Sequence, residues 1–469
     1  MSRKKLFIEN FLVYGAINGI NKIIPLIMLP VITVLLGSTS EFGKFDMFLT
    51  IVSFGSSFAM LGIYDALFRE YFEKEDKLFQ KKIMSTSLII VIISSVIVLL
   101  ITISLKDILI DLLLEGKETS SKIIVLAAIA IFFTAIQGII SAPTRVRNER
   151  KTFFYSGLLY SVIYYFFSLF LLKMGFGVEG LVSGNLLGII SLNIFFIYKN
   201  RKSFNLYYFE KNIGIKLLKI GIPLVPTFLS YWIFKSMDRV FISNLLGLDE
   251  LGIYSIGARV ASISLFVYTA FSGGWQYFAY STMKDKDQVQ LTSKVFEYLS
   301  VFTIVLFGSS FLFSKLLFSL LFEGDFIMGY KVFPFLFLSP LLLMLFQTVG
   351  NQLIVVKKTY VITISLIIGV CLNLFFNYVL TKNFGIVGSS LATLISYYAS
   401  ILIVLYYCLQ KKLIYLSKKL IILHLINILF ILYVFIFKNY EPYLFIFSIF
   451  IVLFLSYLKE ILKVFKSIF

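Results

Sequence analysis

Five basic side chains fall inside stretches apolar enough to cross a bilayer: Lys22, Lys235, Arg239, Arg259 and Lys315. A basic residue at the centre of a membrane helix costs about 2.5–3.5 kcal/mol on insertion scales, so such residues mark a water-filled path or a specific partner. Lys235, Asp238 and Arg239 stand at i, i+3 and i+4 and therefore share one helical face. Lys22 shares a face with Tyr14 and Asn18, and Arg259 with Ser255 and Ser262. The chemistry open to these groups is recognition rather than catalysis, and the helix bearing Lys235 and Arg239 is read as lining a transport pathway. Plainer readings stand beside it. Asp238 and Arg239 lie toward the outer end of their helix and also fit a local ion pair, or a tie to Asp249 or Glu250. Lys235 divides between a lumen and snorkelling along its long stem, and Lys315 is read as snorkelling. Asp46 is placed in solvent at the outer interface, and Asp65 with Arg69, at i and i+4, as a structural pair.

Catalytic and metal-binding signatures are missing from the sequence. One histidine, His424, cannot build a multi-histidine site, and it is read as a packed polar residue. Cys371 and Cys408 both fall in apolar spans and imply no disulfide framework. There is no phosphate-cradling glycine loop and no nucleophile elbow. Asp285-Lys286-Asp287 looks like a glycosyltransferase metal triplet, but in a short loop it reads as a solvated turn. The expectation is a protein that is not an enzyme and holds no metal or cofactor. Gln137, Gln347, Asn373 and Asn377 are read as hydrogen-bond partners between helices.

The elements that must carry these residues are membrane helices. The 469 residues are 59% hydrophobic and 14% charged, with a mean hydropathy of +0.93; soluble domains run nearer 25% charged. Fourteen apolar spans can be drawn, too long for barrel strands and without period-two alternation, so the fold class is all-α and polytopic. The seventh span, Ile215 to Gly247, would measure about 48 Å as one straight helix, against a hydrocarbon core of about 30 Å. Pro223 and Pro226 should bend or break it. The net charge of +18 sits mostly in loops. With the N-terminus inside, 30 of the 43 Lys and Arg fall in inside segments and 8 outside, which places both termini in the cytoplasm and removes any need for nucleic acid. The first apolar run, continuing to Leu36, is too long for a cleaved signal.

The sequence also repeats itself. Leu35-Leu36-Gly37 with Glu41-Phe42-Gly43 matches Leu245-Leu246-Gly247 with Glu250-Leu251-Gly252. Lys151-Thr152-Phe153 matches Lys358-Thr359-Tyr360, and Phe176-Gly177-Val178-Glu179-Gly180 matches Phe384-Gly385-Ile386-Val387-Gly388. All lie at an offset of 207 to 210. Six helices per repeat is an even number, so the repeats run parallel. The expected organisation is a six-helix lobe over residues 1–200, a second over 201–412, and two further helices over 413–469. Pro25 and Pro30 then correspond roughly to Pro223 and Pro226, so each lobe opens with a bendable helix, and Pro25 and Pro223 become candidate gating positions.

Six plus six plus two helices, Leu245-Leu246-Gly247 with Leu251-Gly252-Ile253-Tyr254-Ser255, and Phe384-Gly385-Ile386-Val387-Gly388-Ser389-Ser390-Leu391-Ala392 together resemble the polysaccharide flippases of the multidrug/oligosaccharidyl-lipid/polysaccharide exporter (MOP) superfamily. The resemblance implies a two-lobed alternating-access transporter in a bacterial inner membrane. The implied cargo is an undecaprenyl-diphosphate-linked oligosaccharide for O-antigen, capsule or teichoic-type polymers, moved to the outer leaflet. Membrane lipids, a polymerase and glycosyltransferases are the implied partners. In such a lumen Lys22, Lys235, Arg239 and Arg259, with Asn18, would bind the diphosphate-sugar head, and Asp238 would serve as an ion-pair or gating residue. A peptidoglycan-precursor flippase and a multidrug or organic-cation antiporter of the same superfamily are the alternatives; a cation site should be acid-rich, whereas this one is mainly basic.

Overall fold

The computed structural model describes residues 23–114, 117–282, 285–438 and 441–468, and every regular element within them is helical. In chain order these are α1 (Ile23–Leu36), α2 (Thr39–Met60), α3 (Ile63–Tyr71), α4 (Lys77–Ser104), α5 (Lys106–Leu113), α6 (Lys117–Val146), α7 (Arg150–Lys173) and α8 (Gly177–Asn200). Then follow α9 (Lys211–Gly221), α10 (Val225–Leu246), α11 (Leu248–Ala261), α12 (Ser264–Ser281), α13 (Gln288–Leu321), α14 (Phe333–Val355), α15 (Tyr360–Gln410), α16 (Lys418–Phe437) and α17 (Tyr443–Ile468). Nine helical stretches among the described residues are long and apolar enough to cross a membrane. Two bent pairs pass the same test jointly, α2 with α3 at 44° and α11 with the first part of α12 at 41°, and α1 and α17 supply shorter apolar helices. Once α15 is divided at its kink, as argued below, these make the fourteen spans that the hydropathy pattern predicts. The protein is a multi-pass membrane protein.

The chain divides into two compact units, Met1–Ser255 and Ile256–Phe469. In the first unit α6 is the central helix, packed against α2, α4 and α8. Its middle is built from small residues, and Ala127, Ala128, Ala130 and Ala135 are fully buried. Without a hydrophobic drive between helices in lipid, such residues gain stability by letting backbones approach closely. Asparagines add directional contacts: Asn193 Nδ2 donates to the Phe133 carbonyl at 3.1 Å, and Asn200 Nδ2 to the Ile140 carbonyl at 2.7 Å.

The seventh span breaks at its prolines. Helix α9 ends at Gly221, a 3-10 turn covers Ile222–Leu224, and α10 resumes at Val225 with proline in its first turn, where a missing backbone donor costs nothing. Helices α2 and α3 run antiparallel to α9 and α10 along a continuous seam. Arg239 meets Asp46 at 2.7 Å, the Trp232 indole donates to Ser53 Oγ at 3.0 Å, Gly221 packs on Gly62, and Lys216 reaches Glu73 at 2.6 Å and also Glu70. Both helices of the seam are broken where the two glycines touch.

The second unit is organised by a cluster of aromatic rings. Phe307 and Phe311 of α13, Phe335 of α14 and Phe430 of α16 meet edge to face at centroid distances of 5.2–6.4 Å. Helix α15 is 51 residues long, but Ser400 Oγ donates to the Ser365 carbonyl, so the chain has folded back on itself. The reversal is at Gly385, whose φ of 65° and ψ of −152° belong to a region only glycine visits cheaply. Buried polar groups line the hairpin: Asn377 Nδ2 donates to Asn373 Oδ1 at 3.1 Å, and Asn377 Oδ1 accepts from Ser389 Oγ at 2.6 Å. Gln347 donates to Ser272 at 2.9 Å. Gly177, the repeat mate of Gly385, also has positive φ, at the start of α8. Gly385→Val is expected to cost about 1–3 kcal/mol, read as a lowered unfolding midpoint of the detergent-purified protein.

Lys315 does not simply snorkel: its ammonium pairs with Glu441, just ahead of α17, at 2.7 Å. The hydrogen bond from Lys315 holds the Glu441 carboxyl below its usual range. A lowered carboxyl pKa stabilises the fold above the ordinary value, and that contribution is lost as the pH falls through the lowered one. Both groups are well exposed, so Glu441→Gln should change stability at neutral pH by no more than about 1 kcal/mol and remove this acid-side dependence, measurable as melting midpoint against pH.

Candidate functional site

Residues at the repeat spacing meet where α2 crosses the start of α11. The approach is as close as backbones allow. A Cβ on Gly43 would collide with the Leu248 carbonyl, and a Cβ on Gly252 with the Thr39 carbonyl. The contact is reciprocal, since Gly252 is the repeat mate of Gly43 and Leu248 stands at the same offset from Thr39. Thr39 donates to Asp249, 210 residues away, and Ser255 Oγ donates to Asp46 Oδ2 at 2.7 Å across 209 residues.

Beside this crossing lies a buried charge network. Asp46 is 4% exposed and Asp238 7%. Arg239 Nε donates to Asp46 Oδ2 at 2.7 Å, and its Nη1 donates to Asp238 Oδ1 at 3.1 Å and to the Lys235 carbonyl at 2.9 Å. The Tyr254 hydroxyl donates to the second oxygen of Asp238. Asp46 is therefore not solvated at an interface, as its sequence position suggests. A partner 193 residues away draws it into the interior. Two carboxylates share one guanidinium, and a hydroxyl adds a hydrogen bond to each, Ser255 to Asp46 and Tyr254 to Asp238, which makes a buried ion pair tolerable.

Further along the same seam a cavity of about 440 Å³ opens between α2, α3, α6 and α10. Ser53, Ser56 and Ser57 line it from α2, Tyr64 and Asp65 from α3, Thr134 from α6, and Phe228, Tyr231, Trp232, Lys235 and Ser236 from α10. Asp65 faces this space where the sequence suggests a pair with Arg69. The Trp232 ring is held by its bond to Ser53 and by Phe54, with centroids 4.6 Å apart. Hydroxyls, aromatic faces, one ammonium and one carboxylate in a space of small-molecule size can hold a polar, ring-bearing ligand. No group of three or more His, Cys, Asp or Glu side chains fit to hold a metal occurs among the described residues.

The residues singled out in the sequence are distributed as follows. Lys235 lines the cavity, Arg239 and Asp238 form the charge network, and Pro223 sits in the break of the seventh span. Arg259 is half-buried in α11 and belongs to the second unit, and Pro25 is exposed in α1. Lys22 and Asn18 lie outside the described residues. Asp46, read from the sequence as solvated, belongs to the network instead, and Tyr254 as its hydroxyl donor and the serine face of α2 escaped the sequence reading. Two signals were available: serines at 53, 56 and 57 share a helical face, and the Asp46–Ser255 separation equals the repeat offset.

The second unit holds an apolar cavity of about 560 Å³ bounded chiefly by α15 and α16. Its few polar side chains include His424 and Tyr398, whose hydroxyl accepts from Asn427 Nδ2 at 3.0 Å.

Among solved structures, the lipid II flippase MurJ in an inward closed conformation superposes with a TM-score of 0.71 at 15% identity, covering 96% of this chain and 99% of its own. An inward-facing multidrug resistance MATE family transporter of the MOP superfamily gives 0.65 at 17% identity, over 82% and 95%. A MOP superfamily transporter from Pyrococcus furiosus gives 0.55 at 15%, over 85% and 93%. These likenesses establish the fold. Among curated proteins none matches the sequence. The family described as polysaccharide biosynthesis protein matches residues 31–325, well over half of the sequence. With the helical count, the repeat and the fold in agreement, the chain belongs to that polysaccharide biosynthesis family.

Proposed function

We propose that the protein moves a lipid-linked oligosaccharide from the inner to the outer leaflet of a bacterial inner membrane, both termini cytoplasmic, by alternating access. The observation that carries this reading is the cavity beneath Lys235. Inside a membrane protein of a polysaccharide biosynthesis family, a chamber of hydroxyls, aromatic rings, an ammonium and the Asp65 carboxylate suits a sugar head attached to a phosphorylated carrier. Lys235 offers a point charge to phosphate, and Arg259, with Lys22 and Asn18, remains proposed for the same head group. The lobes at 1–200 and 201–412 are the proposed moving bodies, with 413–469 as an appendage, and Pro223 and Pro25 the bends that let them move. In this reading the Asp46–Arg239–Asp238 network and the Gly43–Gly252 crossing hold one end of the pathway shut, and Arg239 contributes by gating as well as by charge.

A peptidoglycan precursor is the second reading, favoured because the likeness to the lipid II flippase runs the full length of both chains. Cation antiport is disfavoured, since the buried carboxylates Asp46 and Asp238 are already paired with Arg239 and the cavity carboxylate, Asp65, shares its space with the Lys235 ammonium. Reconstitution in proteoliposomes with a fluorescent undecaprenyl-diphosphate oligosaccharide and, separately, fluorescent lipid II tests the choice. Outward movement of the first supports the proposal; movement of lipid II alone replaces it with the second reading, and movement of neither overturns both.

A further inference from the structure

The protons in the cavity have destinations that decide which part of the cargo it can hold. Ser53 Oγ donates to the Thr50 carbonyl at 2.9 Å, Ser56 Oγ to the Ser53 carbonyl at 3.3 Å, and Ser57 Oγ to that same carbonyl at 2.7 Å. A serine hydroxyl has one proton and two lone pairs. Each of these three has committed its proton to the backbone and shows the cavity only acceptor capacity. Ser53 already uses one lone pair on the Trp232 indole. Opposite them the Thr134 hydroxyl is buried with no partner among the described residues. Leaving such a group unsatisfied costs about 1–3 kcal/mol, so it is a standing offer to a ligand. The indole, with its nitrogen tied down, is fixed in orientation beside Tyr231 and Phe228.

A phosphate oxygen can only accept hydrogen bonds, and a wall of acceptors repels it. A sugar hydroxyl can donate, and the C–H face of a pyranose packs against an aromatic ring. Resting on the flippase reading, we infer that this cavity is the sugar subsite of the cargo. Hydroxyls of a pyranose donate to Ser56 and Ser57, its ring face lies on Trp232, and the diphosphate stays outside the serine face.

The chain has two tryptophans, so Trp275→Phe leaves Trp232 as the sole indole. The full-length variant in detergent is titrated with methyl β-D-glucopyranoside, methyl N-acetyl-β-D-glucosaminide, methyl β-D-galactopyranoside and, as the anion, sodium pyrophosphate. The expected result is a saturable shift of Trp232 emission with at least one glycoside; any pyrophosphate response, arising at Lys235, should be the same in the serine variant. Two lost hydrogen bonds of about 1 kcal/mol each should raise the half-saturation concentration about tenfold or more in Ser56→Ala/Ser57→Ala. Thr134→Val, which keeps the side-chain shape, should weaken the response in the same direction. A response to pyrophosphate alone, or to none of the four probes, overturns the inference. The flipping assay separates the two claims. A silent Trp232 with intact flipping removes the sugar subsite and leaves the flippase. A glycoside response without flipping of either lipid removes the flippase and leaves the subsite.

Discussion

Arg239→Ala is expected to cost about 3–5 kcal/mol of stability and to abolish export, because it removes the guanidinium that two buried carboxylates share. The expense lies in the buried carboxylates and not in the lost contact. A variant that removes the whole network, Asp46→Asn with Asp238→Asn and Arg239→Met, should therefore recover most of the stability. Melting midpoints of the purified proteins check the first statement. If the network gates transport, the triple variant should remain folded yet transport poorly in proteoliposomes, since nothing would then favour one closed end over the other. Full transport by the triple variant would reduce the network to a structural tie.

The second large effect is steric. Gly252→Val places a branched side chain where the Thr39 carbonyl already stands, and backbone cannot rotate aside as a side chain does. Overpacking of this kind costs about 1–3 kcal/mol where neighbours can give, and the upper end or beyond is expected here. Gly43→Val should behave alike, because the Leu248 carbonyl occupies the matching place. Neighbouring substitutions couple. Once the first branched residue has forced the helices apart, the second finds room, so the double variant should lose clearly less than the two single losses together. Full additivity in the melting midpoints would mean that the two glycines do not share one crossing.

Much of the architecture was legible because lipid imposes it. Backbone groups must be satisfied within each span, so hydropathy counts helices well, and Pro223 and Pro226 announce the break that Ile222–Leu224 makes. Ion-pair partners were a different matter. Sequence reveals neighbours next to each other or one helical turn apart, such as Asp238 beside Arg239, and is silent on Asp46, whose partner is 193 residues distant. Polarity at the outer end of a span suggested water, whereas tertiary packing supplied a guanidinium. The cavity was missed for a related reason: serines are read as neutral filler in an apolar helix until a second helix brings an indole to face them.

The crossing at Gly43 and Gly252 has an evolutionary corollary. A surface that closes on its own duplicate is isologous, the contact through which two identical subunits pair about a symmetry axis. The Thr39–Gly43 segment meets its mate in the manner expected of a homodimer of six-helix chains. Were the repeats once separate chains, fusing their genes would preserve the contact while freeing each copy to diverge, and Asp46–Arg239, whose positions at the repeat offset hold Ser255 and Pro30, would be a product of that divergence.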